Sequence, residues 1–129
     1  MASQVPVLTI SATAGADLSA KQFYLVKMSA DDTVILCAAA TDVPVGVLQN
    51  KPASGQIAEI LTFGKSKIVS SASIAAGKLI GTSSAGKADA KIPGTDTTEY
   101  VVGHVTKAAS ADGVLLEALI NTASPARAA

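Results

Sequence analysis

Residues 45–61 read VGVLQNKPASGQIAEIL, and residues 102–119 read VGHVTKAASADGVLLEAL. With one inserted residue the two align. Val45 and Gly46 match Val102 and Gly103, and Ala53, Gly55, Glu59 and Leu61 match Ala111, Gly113, Glu117 and Leu119. This pairing decides the secondary structure. Val114–Ile120 taken alone reads as a helix, because Leu, Glu and Ala are good helix formers. Its counterpart Ile57–Phe63 carries β-branched and aromatic residues behind a Gly turn, the signature of a strand. One segment written twice has one conformation, so both stretches are assigned to strands.

Working outward, Leu18–Tyr24 sits against Ile74–Ile80 at a constant offset. The chain therefore divides into two units, 18–63 and 74–121. Two units are too few for a solenoid and suggest pseudo-twofold internal symmetry in one domain, 17–121. Further strands are expected at 23–28, 34–38, 45–48, 67–70, 78–81 and 100–106. The turn clusters Ala30–Asp32, Lys51–Gly55, Ser84–Gly86, Ile92–Gly94 and Ala111–Gly113 separate them. Short strands at this spacing predict an all-β fold, a small sandwich or barrel. Helix is limited to a turn or two near Asp17–Gln22, with Asp17 as N-cap. Gly46 and Gly103 read as bulges or close backbone approaches, and Gly55 and Gly113 as turn residues with positive φ. Residues 1–16 read as an extended N-terminal arm containing Val5, Pro6, Val7, Leu8, Thr9 and Ile10. Residues 122–129 carry no periodic apolar pattern and read as a mobile tail.

Composition narrows the function. The chain has 129 residues, ten basic and ten acidic side chains, and a formal net charge of +0. Balanced charge argues against nucleic acid as a partner, since neutralising phosphates takes clustered Lys or Arg. No apolar run approaches the roughly 20 residues of a membrane span, and no basic region precedes Lys21 as a secretory signal requires. The single Cys37 allows neither an intrachain disulfide nor a Cys cluster for zinc. A cytoplasmic site of synthesis and folding is expected. Only Phe23, Tyr24, Phe63 and Tyr100 are aromatic, so the core is built from small and aliphatic residues. Such a core favours an oligomer or a docked state.

Chemical motifs fail on their surroundings. Gly64-Lys65-Ser66 resembles the end of a phosphate-binding loop, but Glu59 stands where the loop needs Gly. His104 takes the place of Val47 and reads as a half-buried strand residue. Cys37 lies in an apolar run and reads as a small buried hydrophobe. A Cys37–His104 dyad would support a small enzyme, and Glu59 with Glu117 could form a carboxylate pair. A glycosidase pair of this kind usually sits among sugar-stacking aromatics, and the chain has no Trp, so both Glu read as solvent-facing strand positions. Asp31-Asp32 is a turn without the spaced ligands of a calcium loop. No catalytic, cofactor-binding or metal-binding residue is assigned, and no cofactor is expected.

The order of the motifs resembles the capsid decoration, or cement, proteins of tailed bacteriophages. The resemblance rests on Asp42–Val47 with Gly55-Gln56 behind it, then Ile74–Lys78, Ser83–Ala88 and Val101–His104, and covers residues 18–121. His104 departs from the apolar residue that usually follows Val-Gly. The resemblance implies a β-rich homotrimer on the outer surface of a virion, assembled in the host cytoplasm. It implies binding to the major capsid protein at subunit junctions, stabilising the expanded head, without catalysis. Val5–Ile10 is then either an arm that adds as a strand to a capsid subunit or neighbouring copy, or an edge strand of its own domain. A carbohydrate-binding or adhesive virion module is the alternative from another class.

Overall fold

The computed structural model describes residues 4–129, and all regular structure among them is β. The strands are β1 (Val5–Ala14), β2 (Leu25–Ala30), β3 (Thr33–Leu36), β4 (Gly46–Leu48), β5 (Ile57–Val69), β6 (Leu79–Thr82), β7 (Ala88–Ala90), β8 (Tyr100–Val101), β9 (Gly103–Lys107), β10 (Leu115–Asn121) and β11 (Ala126–Arg127). The expected strands 57–63 and 67–70 are one continuous strand, running through Gly64 at φ 128°.

Five strands close on themselves in the order β1-β3-β2-β4-β5, with β5 returning to β1. A second circuit runs β5-β10-β9-β6-β7, and the parallel bridge Ser70↔Ala88 closes it. The two rings share β5 and repeat each other's register. Thr13↔Ile57 in the first corresponds to Val69↔Leu115 in the second. Leu25↔Val47 corresponds to Leu79↔His104, Val26↔Leu36 to Ile80↔Ala90, and Val47↔Leu61 to His104↔Leu119. The far half of β5 thus plays in the second ring the part that β1 plays in the first. Backbone conformation repeats too. Phe23 (φ 69°) answers to Gly77 (φ 85°), Asp32 (φ 49°) to Gly86 (φ 76°), and Gly55 (φ 85°) to Gly113 (φ 82°). Positive φ crowds Cβ against the backbone, so Phe23 holds a conformation that Gly77 adopts freely.

Each ring has its own interior, filled differently. In the first, the cross-strand pair Ala12↔Ala58 lies beside Ile10↔Ile60. In the second, the corresponding pairs are Ile68↔Leu116 and Ser66↔Ala118. Large and small layers have changed places. Cores tolerate such exchanges when total volume and pattern are kept. The small residues noted in the composition are therefore half of a complementary packing.

The rings meet head to tail. Leu25, Cys37, Val47 and Leu61 point out of the first ring and are buried in one cluster with second-ring residues. Backbone hydrogen bonds cross the junction: Leu25 N donates to Gly86 O at 2.7 Å, and Val69 N to Phe23 O at 3.0 Å. The Thr122 hydroxyl donates to Val45 O at 2.6 Å.

Four sequence expectations change. Residues 17–22 form turns rather than a helix, and the Asp17 carboxylate accepts from Ser19 N at 3.1 Å. The constant upstream offset holds at Leu18 and Ile74, whose amides donate to Pro52 O and Ala109 O. It then slips by two residues, so that Leu25 rather than Phe23 matches Leu79. The tail 122–129 is tied down: β11 pairs with β8, and Ala128 is buried. Short backbone pairing needs no apolar periodicity, which is why the sequence carries no sign of it. Residues 5–14 of the 1–16 segment form β1 and supply Ala12 and Ala14 to the first core; residues 1–3 lie outside the described residues.

Candidate functional site

The first half of β1 is the most exposed apolar strand of the chain. Val5, Val7 and Leu8 are 53%, 66% and 49% exposed. One edge of β1 is antiparallel to β5 from Val5↔Lys65 to Thr13↔Ile57. Among the described residues the other edge meets β3 only at Thr13 and Ala14, so Val5–Ser11 presents unpaired backbone on that side. Two irregularities, between Pro6 and Leu8 and between Leu8 and Thr9, twist this stretch. Pro6 lies opposite Gly64, where a Cβ would sit 2.8 Å from Val7 N. Pro and bulges are devices that keep an edge from indiscriminate pairing. Val5, Pro6, Val7, Leu8, Thr9 and Ile10 thus lie together on one strand, and Ile10 turns partly into the first core.

The residues weighed for chemistry are held apart in character. Cys37 is buried at the junction of the rings, and burial pushes its thiol up to about 12, against a smaller opposing hydrogen bond from Thr82. A thiol so placed stays protonated in neutral water and offers no nucleophile. His104 is exposed on β9, not half-buried as the repeat suggested, because no described residue covers it where the second ring covers Val47. Glu117 is also not solvent-facing. It is buried, with Lys65 Nζ at 3.0 Å and the Thr106 hydroxyl at 2.7 Å. Glu59 is half-buried and accepts from the Ser11 hydroxyl at 3.1 Å. Among the described residues, no three His, Cys, Asp or Glu side chains group as metal ligands.

Two paired lysines, one in each ring, pin the outer loops. Lys91, the counterpart of Cys37, has a fully buried side chain tied to Glu99 and to Asp89 at 3.3 Å. In the first ring, Lys27 pairs with Asp42 at 2.9 Å. Burial would raise the Asp42 carboxyl, but the amides of Ala38 and Ala39, with Lys27, outweigh it and hold it below its ordinary value. Sequence reasoning missed the Lys91–Glu99 pair, because nothing in a one-dimensional pattern sends a lone Lys inward.

Gly46 and Gly103 occupy corresponding places. A Cβ on Gly46 would overlap Leu61 O, and one on Gly103 would overlap Leu119 O. Close passage of neighbouring strands is built into both rings at the same step.

No family model matches the chain, and no curated protein does. The fold is similar to a solved structure, the head fiber gp8.5 N base in bacteriophage phi29. The TM-score is 0.64 and the identity 18%, covering 89% of this chain and 94% of that one. At that identity the likeness is one of fold.

Proposed function

We propose that this chain is a structural protein of a phage virion. It binds the outer surface of the expanded head at junctions of the major capsid protein and stabilises the shell as a homotrimer. The observation that carries this reading is the fold, shared along nearly the whole chain with a head fiber base. The order of motifs across 18–121 agrees with it. Cementing needs no reaction. Several copies that each make modest contacts gain effective concentration from being joined, and binding only the expanded state stabilises that state by mass action. The exposed half of β1 is the proposed capsid contact. Its backbone edge supplies hydrogen bonds, and Val5, Val7 and Leu8 supply side-chain selectivity. A second reading, the base of a head fiber, is favoured by the same neighbour.

Co-sedimentation of the purified chain with undecorated expanded heads tests the proposal. Because Ala12 and Ala14 fill the first core, substitution is cleaner than deletion of the strand. Val7→Lys with Leu8→Lys is expected to abolish head binding without lowering the unfolding temperature. Wild-type indifference to heads removes the function. Unchanged binding by the double variant removes β1 as the contact.

A further inference from the structure

The two rings carry the same two faces, and among the described residues only one face of each is covered by the other ring. The first ring docks through Leu25, Cys37, Val47 and Leu61. The second ring receives it with Val69, Thr82 and the Gly86 turn. By the repeated register, the docking face of the second ring contains Leu79, His104 and Leu119. The receiving face of the first ring contains Thr13, Met28 and the Asp32 turn. None of these six is buried, and Leu119 and Met28 are 40% and 45% exposed. A docking face and its matching seat therefore stand open at opposite ends of one chain.

We propose that a second copy of this chain occupies the open face of the second ring, seating its first ring's Thr13, Met28 and Asp32 against Leu79, His104 and Leu119. The contact repeats between chains the junction already made within one. Charge agrees with this occupant. The Gly86 turn packs against Leu36, with Leu25 O close by, and the counterparts Ala90 and Leu79 line a cavity of about 500 Å³ that Lys78 also borders. The turn that would enter it carries Asp31 and Asp32. The loop after β7 and the Lys91–Glu99 pair cover the neighbouring part of this face, which leaves the cavity and the Leu79–His104–Leu119 row as the seat. Such a contact joins unlike patches, so it is heterologous and builds a closed ring or an open chain. The inference deepens the self-association in the function proposed above and rests on that reading only for the expectation that copies associate.

Sedimentation of the full chain tests it. Wild type is expected to exceed the mass of one chain at micromolar concentration. Leu119→Glu and Met28→Glu, each at an exposed site, are expected to unfold at the wild-type temperature when measured below the concentration of self-association, and to associate about tenfold or more weakly. Mixed in equal amounts, they retain one intact pair of faces between them and should form a complex of two chains that grows no further. As a second arm, Asp32→Lys and Lys78→Glu should each weaken association, and the doubly substituted chain should regain it. A wild type that stays a single chain overturns the inference. So does either Glu variant keeping the wild-type mass, or a mixture that remains single chains. Assembly through these faces by a chain that ignores heads would sink the function and leave this inference standing.

Discussion

Positions 37 and 91 donate the same backbone hydrogen bond in their rings, Cys37 N to Leu25 O and Lys91 N to Leu79 O. Everything beyond the backbone differs. Cys37 is buried among the apolar side chains of the ring junction, whereas Lys91 is buried under its own loop and neutralised by Glu99 and Asp89. The hydrogen-bond frame fixes where a side chain emerges, and the occupant of the outer face then selects its chemistry. A face covered by another ring is apolar. A face covered by a loop can take a charge, provided the loop brings the countercharge.

The largest effect should come from breaking that arrangement in the second ring. Glu99→Ala leaves a buried ammonium with Asp89 alone, at 3.3 Å. Losing one partner of a buried pair costs about 3–5 kcal/mol, and the remaining carboxylate puts this variant toward the lower end. Replacing both partners, Lys91→Met with Glu99→Gln, should cost far less, because no buried charge then remains. Chemical denaturation compares the two. Equal losses would mean that position 91 is not the charged equivalent of Cys37.

Next comes the contrast between Leu61 and Leu119, which stand at one register position of two rings. Leu61 is fully buried at the junction, and Leu61→Ala should cost about 2–5 kcal/mol. Leu119→Ala in the single chain should stay within about 0.5 kcal/mol, as for other exposed sites. Urea titration at a concentration below that of self-association makes the comparison.

Much of this comparison is legible in the sequence, and its limits are physical. Val45–Leu61 and Val102–Leu119 align because strand crossing and turn geometry constrain Gly46, Gly55, Gly103 and Gly113 directly. The equivalence of β1 with the far half of β5 leaves no such trace. Ala12 and Ala58 in one ring are Ile68 and Leu116 in the other, so matching positions carry opposite sizes. A core specifies total volume and tolerates its redistribution, and sequence comparison sees only the residues. The same limit hid the open site. His104 and Leu119 are exposed while Val47 and Leu61 are buried, because among the described residues a second ring packs against only one of these two equivalent faces.

Gly103→Ala addresses the frame itself. The added methyl would overlap Leu119 O, and the strands would have to part. Overpacking of this kind costs about 1–3 kcal/mol, and Gly46→Ala should match it if the two rings are built alike. Thermal unfolding of both variants reads the symmetry directly.

A smaller effect is read by pH at the Lys27–Asp42 pair of the first ring. The Asp42 carboxyl is held below its ordinary value of 3.8 in the folded chain. A lowered folded value means that its contribution to stability is present above pH 3.8 and is lost as pH falls through the folded value. Asp42→Asn should therefore lower stability at neutral pH and flatten its fall in acid. A variant with the same acid dependence as wild type would remove Asp42 from the account.

The smallest change in stability is expected at Asp32, which holds φ 49° where the second ring has Gly86 at 76°. Asp32→Gly relieves the backbone, since positive φ costs a side chain about 1–2 kcal/mol, less for Asp and Asn than for most. It also loosens the unfolded chain, which offsets about 0.4–1 kcal/mol. The two nearly cancel, so the unfolding midpoint should hardly move. The reverse exchange is not neutral, because a Cβ on Gly86 would lie 2.9 Å from Leu36 Cγ, in the ring junction. Gly86→Ala thus meets a docked neighbour, while Asp32→Gly meets solvent in the single chain. If Asp32→Gly leaves the midpoint in place yet weakens association between copies, the turn matters only where a second ring sits on it, as its counterpart does within the chain.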